Sequence, residues 1–132
     1  MKKLLIFFAL TIFCSTQSAN ATENQYDCTV EDVSVTPRGN NAEFIAKNLR
    51  KKFMITVTEK TIYVSVLSSD YKNSQTIYTI VNKDRIFGIS ATSINSLGMI
   101  EALIIDEDEG EATVLNQGSS FVNVWILNCQ KT

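Results

Sequence analysis

The chain has 132 residues, with twelve basic and fourteen acidic side chains and no histidine. This length predicts one domain with a modest core, and the missing histidine removes the commonest general base and metal ligand. The acidic balance argues against a nucleic-acid binder, which normally carries a net basic face, and no cofactor or metal is expected.

The first segment has the order of a secretory signal peptide. Lys2 and Lys3 precede an unbroken apolar stretch from Leu4 to Cys14, and the small-residue site Ala19-Asn20-Ala21 follows. The apolar stretch is shorter than the ~20 residues that a membrane-spanning helix needs. We therefore expect residues 1–21 to be cleaved and residues 22–132 to form a single β-rich domain that spans no membrane. A bacterial periplasm, or the medium outside the cell, is the expected location.

Two cysteines remain after that cleavage, Cys28 near the start of the domain and Cys129 near its end. A lone cysteine pair in an oxidising compartment usually forms a disulfide, which needs Cα atoms within about 7 Å of each other. The first and last strands are then neighbours, as closure of a sheet into a barrel requires.

The first predicted strand covers residues 26–36, and its apolar parity changes at Glu31-Asp32, which indicates a β-bulge. Residues 37–40 have turn chemistry. A short helix follows, with Asn40 and Glu43 as its expected capping box. The apolar stripe of this helix, at the spacing i, i+3, i+4 and i+7, consists of Ala42, Ile45, Ala46 and Leu49.

The rest of the chain reads as short strands separated by turns. Runs rich in Val, Ile, Thr and aromatic residues are typical of sandwiches and barrels, and their short connections favour antiparallel pairing. The runs lie at residues 53–58, 61–67, 76–81, 85–91, 99–106, 111–115 and 121–129. The predicted fold is mainly β: a single antiparallel eight-stranded barrel with one short helix after the first strand and disulfide-tied terminal strands. A two-sheet sandwich is the alternative.

Two of these strands, at residues 99–105 and 121–127, carry apolar side chains on both faces. Such strands are normally covered on both sides. The helix is the favoured outer cover, and a partner protein or a second subunit are the alternatives.

Two polar segments are candidate binding sites. A basic group crowds the end of the helix, where positive charge suits the helix dipole, and it could also dock an anionic partner such as a lipid headgroup or an acidic protein. The loop at residues 68–75 carries Asp70, Tyr71 and Lys72, and loops on a rigid scaffold often carry binding. Tyr71 is either a recognition residue or a cover for one end of the barrel. The basic group consists of Lys47, Arg50, Lys51 and Lys52.

The densest charge lies in the acidic run from Asp106 to Glu111. Clustered carboxylates suit Ca²⁺, but Gly110 and the missing distal glutamate depart from the EF-hand spacing. A solvated hairpin tip, whose charge discourages edge aggregation, is the favoured interpretation.

Tyr26-Asp27-Cys28 near the mature start, together with Cys129 near the end of a β-rich chain, loosely resembles the periplasmic inhibitors of c-type lysozyme. The resemblance covers only the termini. It implies a small β-barrel that plugs the active cleft of a lysozyme. The chain lacks the S-G-x-x-Y motif of that family, since its nearest stretch is Ser68-Ser69-Asp70-Tyr71.

No nucleophile-elbow spacing (G-x-S-x-G) occurs in the chain, and an enzyme is not expected. A small, rigid, disulfide-closed β-domain suits a non-catalytic protein-binding module, like an inhibitor or an immunity protein, because a pre-organised surface loses little entropy on binding. The expected partner is another envelope or extracellular protein. The alternative is a barrel that holds a small apolar ligand in its mouth.

Overall fold

The computed structural model describes residues 23–37 and 39–132. The predicted signal peptide and Arg38 of the predicted turn lie outside the described residues. Eight strands form a closed antiparallel barrel in which each strand pairs with its chain neighbours and the last strand pairs with the first. This architecture confirms the predicted barrel with one helix after the first strand. The elements are β1 (Asn24–Thr36), α1 (Ala42–Leu49), β2 (Lys52–Val57), β3 (Thr61–Leu67), β4 (Ser74–Asp84), β5 (Gly88–Ile94), β6 (Ile100–Asp106), β7 (Glu111–Gln117) and β8 (Val122–Lys131).

The predicted disulfide joins the two terminal strands. Cys28 on β1 and Cys129 on β8 are direct cross-strand partners, and their sulfur atoms are bonded. The register of β1 against β8 shifts between Val30 and Asp32, which confirms the predicted bulge. Closing a loop over a sequence separation of 101 is expected to stabilise the fold by ~4–5 kcal/mol.

Alternate side chains of every strand fill the barrel interior, as the period-2 geometry of strands requires. The largest fully buried apolar side chains come from β2, β3, β4, β6 and β8, and burial of each stabilises the fold by ~1.5–3 kcal/mol. This set consists of Ile55, Ile62, Val64, Tyr78, Leu103, Ile105 and Leu127.

The helix is present where predicted, but its buried face and its cap differ from the prediction. Phe44, Ile45 and Asn48 face the barrel, whereas Leu49 and both alanines of the predicted stripe are exposed. The N-cap residue is Asn41, whose side chain makes no capping hydrogen bond. The helix turns Asn48 toward the barrel because the buried indole N–H of Trp125 donates a hydrogen bond to it there. Phe44 and Ile45 lie on the same side of the helix and pack against the core.

The fifth strand begins three residues later than predicted, at Gly88, because β4 runs on through Asp84. Asp84 Oδ1 accepts the backbone N–H groups of Ile86 and Phe87 and so sets the turn at residues 85–87, where both side chains are exposed. Gly88 then adopts a φ of +77°, and a Cβ there would lie 2.3 Å from the carbonyl oxygen of Ile105.

The predicted helical cover of the two-faced strands is wrong for β6. The helix packs against β1, while Ile100 and Ile104 on the outer face of β6 are about half exposed. The strand β1 pairs with β2 only as far as Thr29, so its second half has room for the helix at its side. No helix among residues 23–37 and 39–132 has the length and apolarity needed to cross a membrane.

Candidate functional site

The antiparallel topology gives the barrel two chemically different ends. The helix-side end comprises α1, Arg50, Lys51 and the loops at residues 68–73, 95–99 and 118–121. The turn-side end comprises the tight turns at residues 58–60, 85–87 and 107–110. Both segments predicted to bind, the basic group and the Asp70-Tyr71-Lys72 loop, lie at the helix-side end.

An ion pair joins these two segments. Arg50 donates from Nε to Asp70 Oδ2 at 3.1 Å and from Nη2 to Asp70 Oδ1 at 2.8 Å. The hydrogen bond from Arg50 lowers the pKa of the Asp70 carboxyl and raises the pKa of the Arg50 guanidinium. The loop is also closed on itself, because Ser68 Oγ accepts the backbone N–H groups of Asp70 and Tyr71. A surface ion pair adds little stability, but this two-bond geometry fixes the loop against the end of the helix.

Lys51 lies between two aromatic rings. Its Nζ is 5.0 Å from the ring centroid of Tyr71 and 5.2 Å from that of Trp125, within the range of cation–π attraction. The ammonium is half-buried, and this burial lowers the pKa of Lys51. Neither ion pair formed by the described residues includes Lys51. The Tyr71 ring covers the Lys51 ammonium and remains partly exposed.

The other predicted basic residues have different surroundings. Lys47 contacts Glu43 at 2.6 Å, one helical turn away, and this hydrogen bond lowers the pKa of Glu43 and raises the pKa of Lys47. Lys52 at the start of β2 and Lys72 in the loop are exposed. The predicted basic group is therefore not one cluster of free charges.

A small cavity lies inside the helix-side end of the barrel, beneath Lys51. We call it the mouth cavity; its volume is about 120 Å³, and Lys51, Tyr78, Glu101, Asn116 and Trp125 are among the residues that line it. Tyr78 donates from its hydroxyl to Glu101 Oε2 at 3.1 Å. Burial, together with the Glu101 carboxylate, raises the pKa of the Tyr78 hydroxyl.

Two polar residues of the mouth cavity, Glu101 and Asn116, belong to a row of inward-facing polar residues that crosses four strands. Glu101 on β6 is the cross-strand partner of Ser93 on β5 and of Asn116 on β7, and Asn116 is in turn the partner of Asn123 on β8. All four share the sheet face of the buried Trp125. The sequence does not reveal this row, because a polar residue near a strand end gives no sign that it points inward.

Asn48 of α1 closes one side of the helix-side end. The Trp125 Nε1–H donates to Asn48 Oδ1 at 3.1 Å, and Asn48 Nδ2 donates to the carbonyl oxygen of Phe44 at 2.7 Å. Asn48 is the one buried polar residue of the described core. The helix is therefore anchored to β8 by a buried hydrogen bond.

The acidic run lies at the turn-side end, and two of its carboxylates accept hydrogen bonds from groups within the protein. Asp106 Oδ1 accepts the backbone N–H groups of Asp108 and Glu109. Glu107 Oε1 accepts from the Tyr26 hydroxyl at 2.5 Å and from Asn24 Nδ2 at 3.0 Å. Burial and then the bond to Glu107 raise the pKa of Tyr26. Within residues 23–37 and 39–132, no three Asp, Glu, Cys or His side chains converge to hold a metal ion.

Comparisons of the chain with protein-family models, with curated proteins and with solved structures find no match. What the helix-side end can do therefore follows from its own groups. It presents the Tyr71 ring and Lys72 on a fixed loop, above a small cavity lined by both polar and apolar side chains.

Proposed function

We propose that this chain is an exported protein of a bacterial envelope and binds another protein, without catalysis, through its helix-side end. The observation that carries the proposal is the two-bond ion pair between Arg50 and Asp70. It holds the loop at residues 68–73 in one position before any partner arrives. A surface that is already ordered loses less conformational entropy on binding.

The chemistry of this surface favours an acidic partner. Tyr71 offers a partly exposed aromatic ring, of the kind that often anchors protein interfaces. Lys52 and Lys72 are exposed, and neither takes part in an ion pair between described residues. Exposed cations steer an acidic surface toward the site and raise the association rate.

The alternative function, a carrier of an apolar ligand, has less support. Phe53, Trp125 and the aliphatic core fill the interior. The mouth cavity has charged and amide groups in its lining, beside Phe53 and three valines, and it is much smaller than the ~300 Å³ or more of a typical ligand pocket. An apolar molecule would leave those polar groups without partners, which costs free energy.

Photo-crosslinking from two matched tyrosine positions tests the proposal. Tyr71 and Tyr63 are equally exposed, at 40% and 39%, but Tyr63 lies on the outer wall of the barrel. A photoreactive phenylalanine analogue at position 71 is expected to capture one protein in the host envelope, which mass spectrometry identifies. The same analogue at position 63 is expected to capture none. Equal capture from both positions would exclude the helix-side end as the specific surface.

Charge reversal then tests the nature of the partner. Lys52→Glu and Lys72→Glu are each expected to weaken binding of the captured protein by up to about fivefold, the worth of ~1 kcal/mol for an exposed charge. Lys60→Glu, at an exposed position of the turn-side end, is the matched control and leaves the affinity unchanged. Equal weakening by all three variants would indicate a general charge effect and contradict the proposed surface.

A further inference from the structure

The mouth cavity contains two polar groups whose partners are incomplete. Asn116 Oδ1 is fully buried and accepts no hydrogen bond from the described residues. Buried polar atoms without a partner are rare in folded proteins, and each one calls for an explanation. Lys51, on the same cavity, is half-buried and forms no ion pair. A hydrogen-bond donor beside Asn116 Oδ1 and an anion beside the Lys51 ammonium would give each of these groups its missing partner.

The charges in the cavity are arranged for a ligand that carries both signs. Glu101 is the cross-strand partner of Asn116, so the carboxylate and the unsatisfied amide oxygen are neighbours on the cavity wall. Tyr78 donates to Glu101 Oε2, and no hydrogen bond between described side chains uses Glu101 Oε1. Lys51 lines the same cavity but forms no ion pair with Glu101. The cavity therefore offers two acceptors and, separately, one ammonium donor.

The volume limits the size of such a ligand. The cavity volume of about 120 Å³ is less than half of the ~300 Å³ or more of a typical ligand pocket. Sugars and nucleotides are too large for this space. Among small zwitterions, an amino acid with a very short side chain fits.

We propose that the mouth cavity binds a small zwitterionic amino acid, with its ammonium on Glu101 and Asn116 Oδ1 and its carboxylate on the Lys51 ammonium. The aromatic rings of Tyr78 and Trp125 form walls around it. This binding is separate from the proposed docking of a protein, because it uses the inward side chains rather than the exposed Lys52 and Lys72. Either activity can fail without the other.

Titration with matched probe molecules tests the charge requirement. Glycine and L-alanine carry both charges, acetate carries only the carboxylate, and methylamine carries only the ammonium. We expect saturable changes in the fluorescence of Trp125, the only tryptophan of the chain, and in the amide NMR signals of Asn116 with the amino acids. The single-charge probes bind roughly tenfold to a hundredfold more weakly, since each lacks one charged hydrogen bond.

Three results would overturn the proposal. The first is the absence of any saturable change at roughly 10 mM glycine or alanine, as a cavity that holds only solvent would give. The second is equal binding of acetate or methylamine. The third is a change confined to residues away from the mouth cavity.

Variants of the two charged groups test the assigned contacts. Glu101→Gln retains an acceptor for the Tyr78 hydroxyl, and Lys51→Met retains an apolar chain beside the aromatic rings. Each is expected to weaken glycine binding by at least roughly tenfold. Lys60→Met, at an exposed position of the turn-side end, is the matched control and leaves binding unchanged. Unchanged affinity in folded Lys51→Met or in folded Glu101→Gln, verified by its NMR spectrum, would refute the contact assigned to that residue and with it the zwitterion site.

Discussion

The buried hydrogen bond between Asn48 and Trp125 offers a sharp test of how the helix is held on the barrel. The Asn48 side chain is 0% exposed, and its Oδ1 is the acceptor for the Trp125 indole N–H. In Asn48→Leu, a side chain of similar size cannot accept this bond, which leaves the buried indole N–H without a partner. That loss costs about 1–3 kcal/mol, and the better helix propensity of leucine recovers about 0.5 kcal/mol.

We therefore expect Asn48→Leu to lower the free energy of unfolding by about 1.5 kcal/mol. For a domain of this size, that change lowers the melting temperature by roughly 7 °C. Urea unfolding followed by far-ultraviolet circular dichroism measures the effect. Asn128→Leu, the same change at an exposed position of β8, is the control and is expected to stay within about 0.5 kcal/mol of the parent.

A double-mutant cycle isolates the hydrogen bond from other effects of the substitutions. Trp125→Phe removes the donor and leaves Asn48 Oδ1 unsatisfied, so it is destabilising as well. The variant with both changes removes both partners and is expected to lose about 1 kcal/mol less than the sum of the single variants. Single effects that add to within about 0.3 kcal/mol would refute the conclusion that this bond anchors the helix.

Reduction of the disulfide Cys28–Cys129, or its replacement by two serines, is expected to lower the free energy of unfolding by ~4–5 kcal/mol in urea titrations, because the bond spans a sequence separation of 101; equal midpoints would contradict this. Burial and the neighbouring carboxylate raise the pKa of Tyr78, so the folded protein keeps a proton that the unfolded chain loses above about pH 10. Stability is then expected to fall as the pH rises past that value, and less so in Tyr78→Phe, as thermal unfolding at about pH 9 and about pH 11 would show. The pKa of Asp70 is lowered by its bond from Arg50, so the order of the loop at residues 68–73 is expected to be complete above about pH 4 and to be lost as the pH falls further. Backbone NMR relaxation of the loop measures this, and Asp70→Asn, which has no such titration, is expected to show a loop that is mobile at every pH.

The barrel was predictable from the sequence because its determinants are local or covalent. The alternation of Phe53, Ile55 and Val57 specifies one buried face of a strand, and similar runs with short connections specify antiparallel neighbours. The two cysteines place the first strand beside the last. The start of β5 was not predictable in this way. Asn82-Lys83-Asp84 has turn composition, but the turn position depends on Asp84 as a side-chain acceptor and on the close approach of Gly88 to Ile105 across the sheet.

The helix also has one feature that the sequence predicts and one that depends on tertiary contacts. Its existence follows from the spacing of apolar residues, but its buried face does not. Ala42 and Ala46 fit the helical period, yet the tertiary structure buries Asn48, because the indole N–H of Trp125 supplies the partner that a buried amide requires. That partner lies 77 residues further along the chain.

The sequence by itself predicted an antiparallel β-rich fold with tied terminal strands, for which a barrel was favoured over a sandwich, together with the disulfide, the bulge in the first strand, and both segments that meet at the helix-side end. Only the tertiary structure decided that Arg50 pairs with Asp70, that Lys51 lies between Tyr71 and Trp125, and that Glu101 faces a cavity beside an unsatisfied Asn116. The physical reason is that these features depend on interactions between residues at different separations along the chain. Periodicity and covalent bonding act along the chain, whereas the partners of a polar side chain are set by strand register and barrel closure, which bring distant residues together.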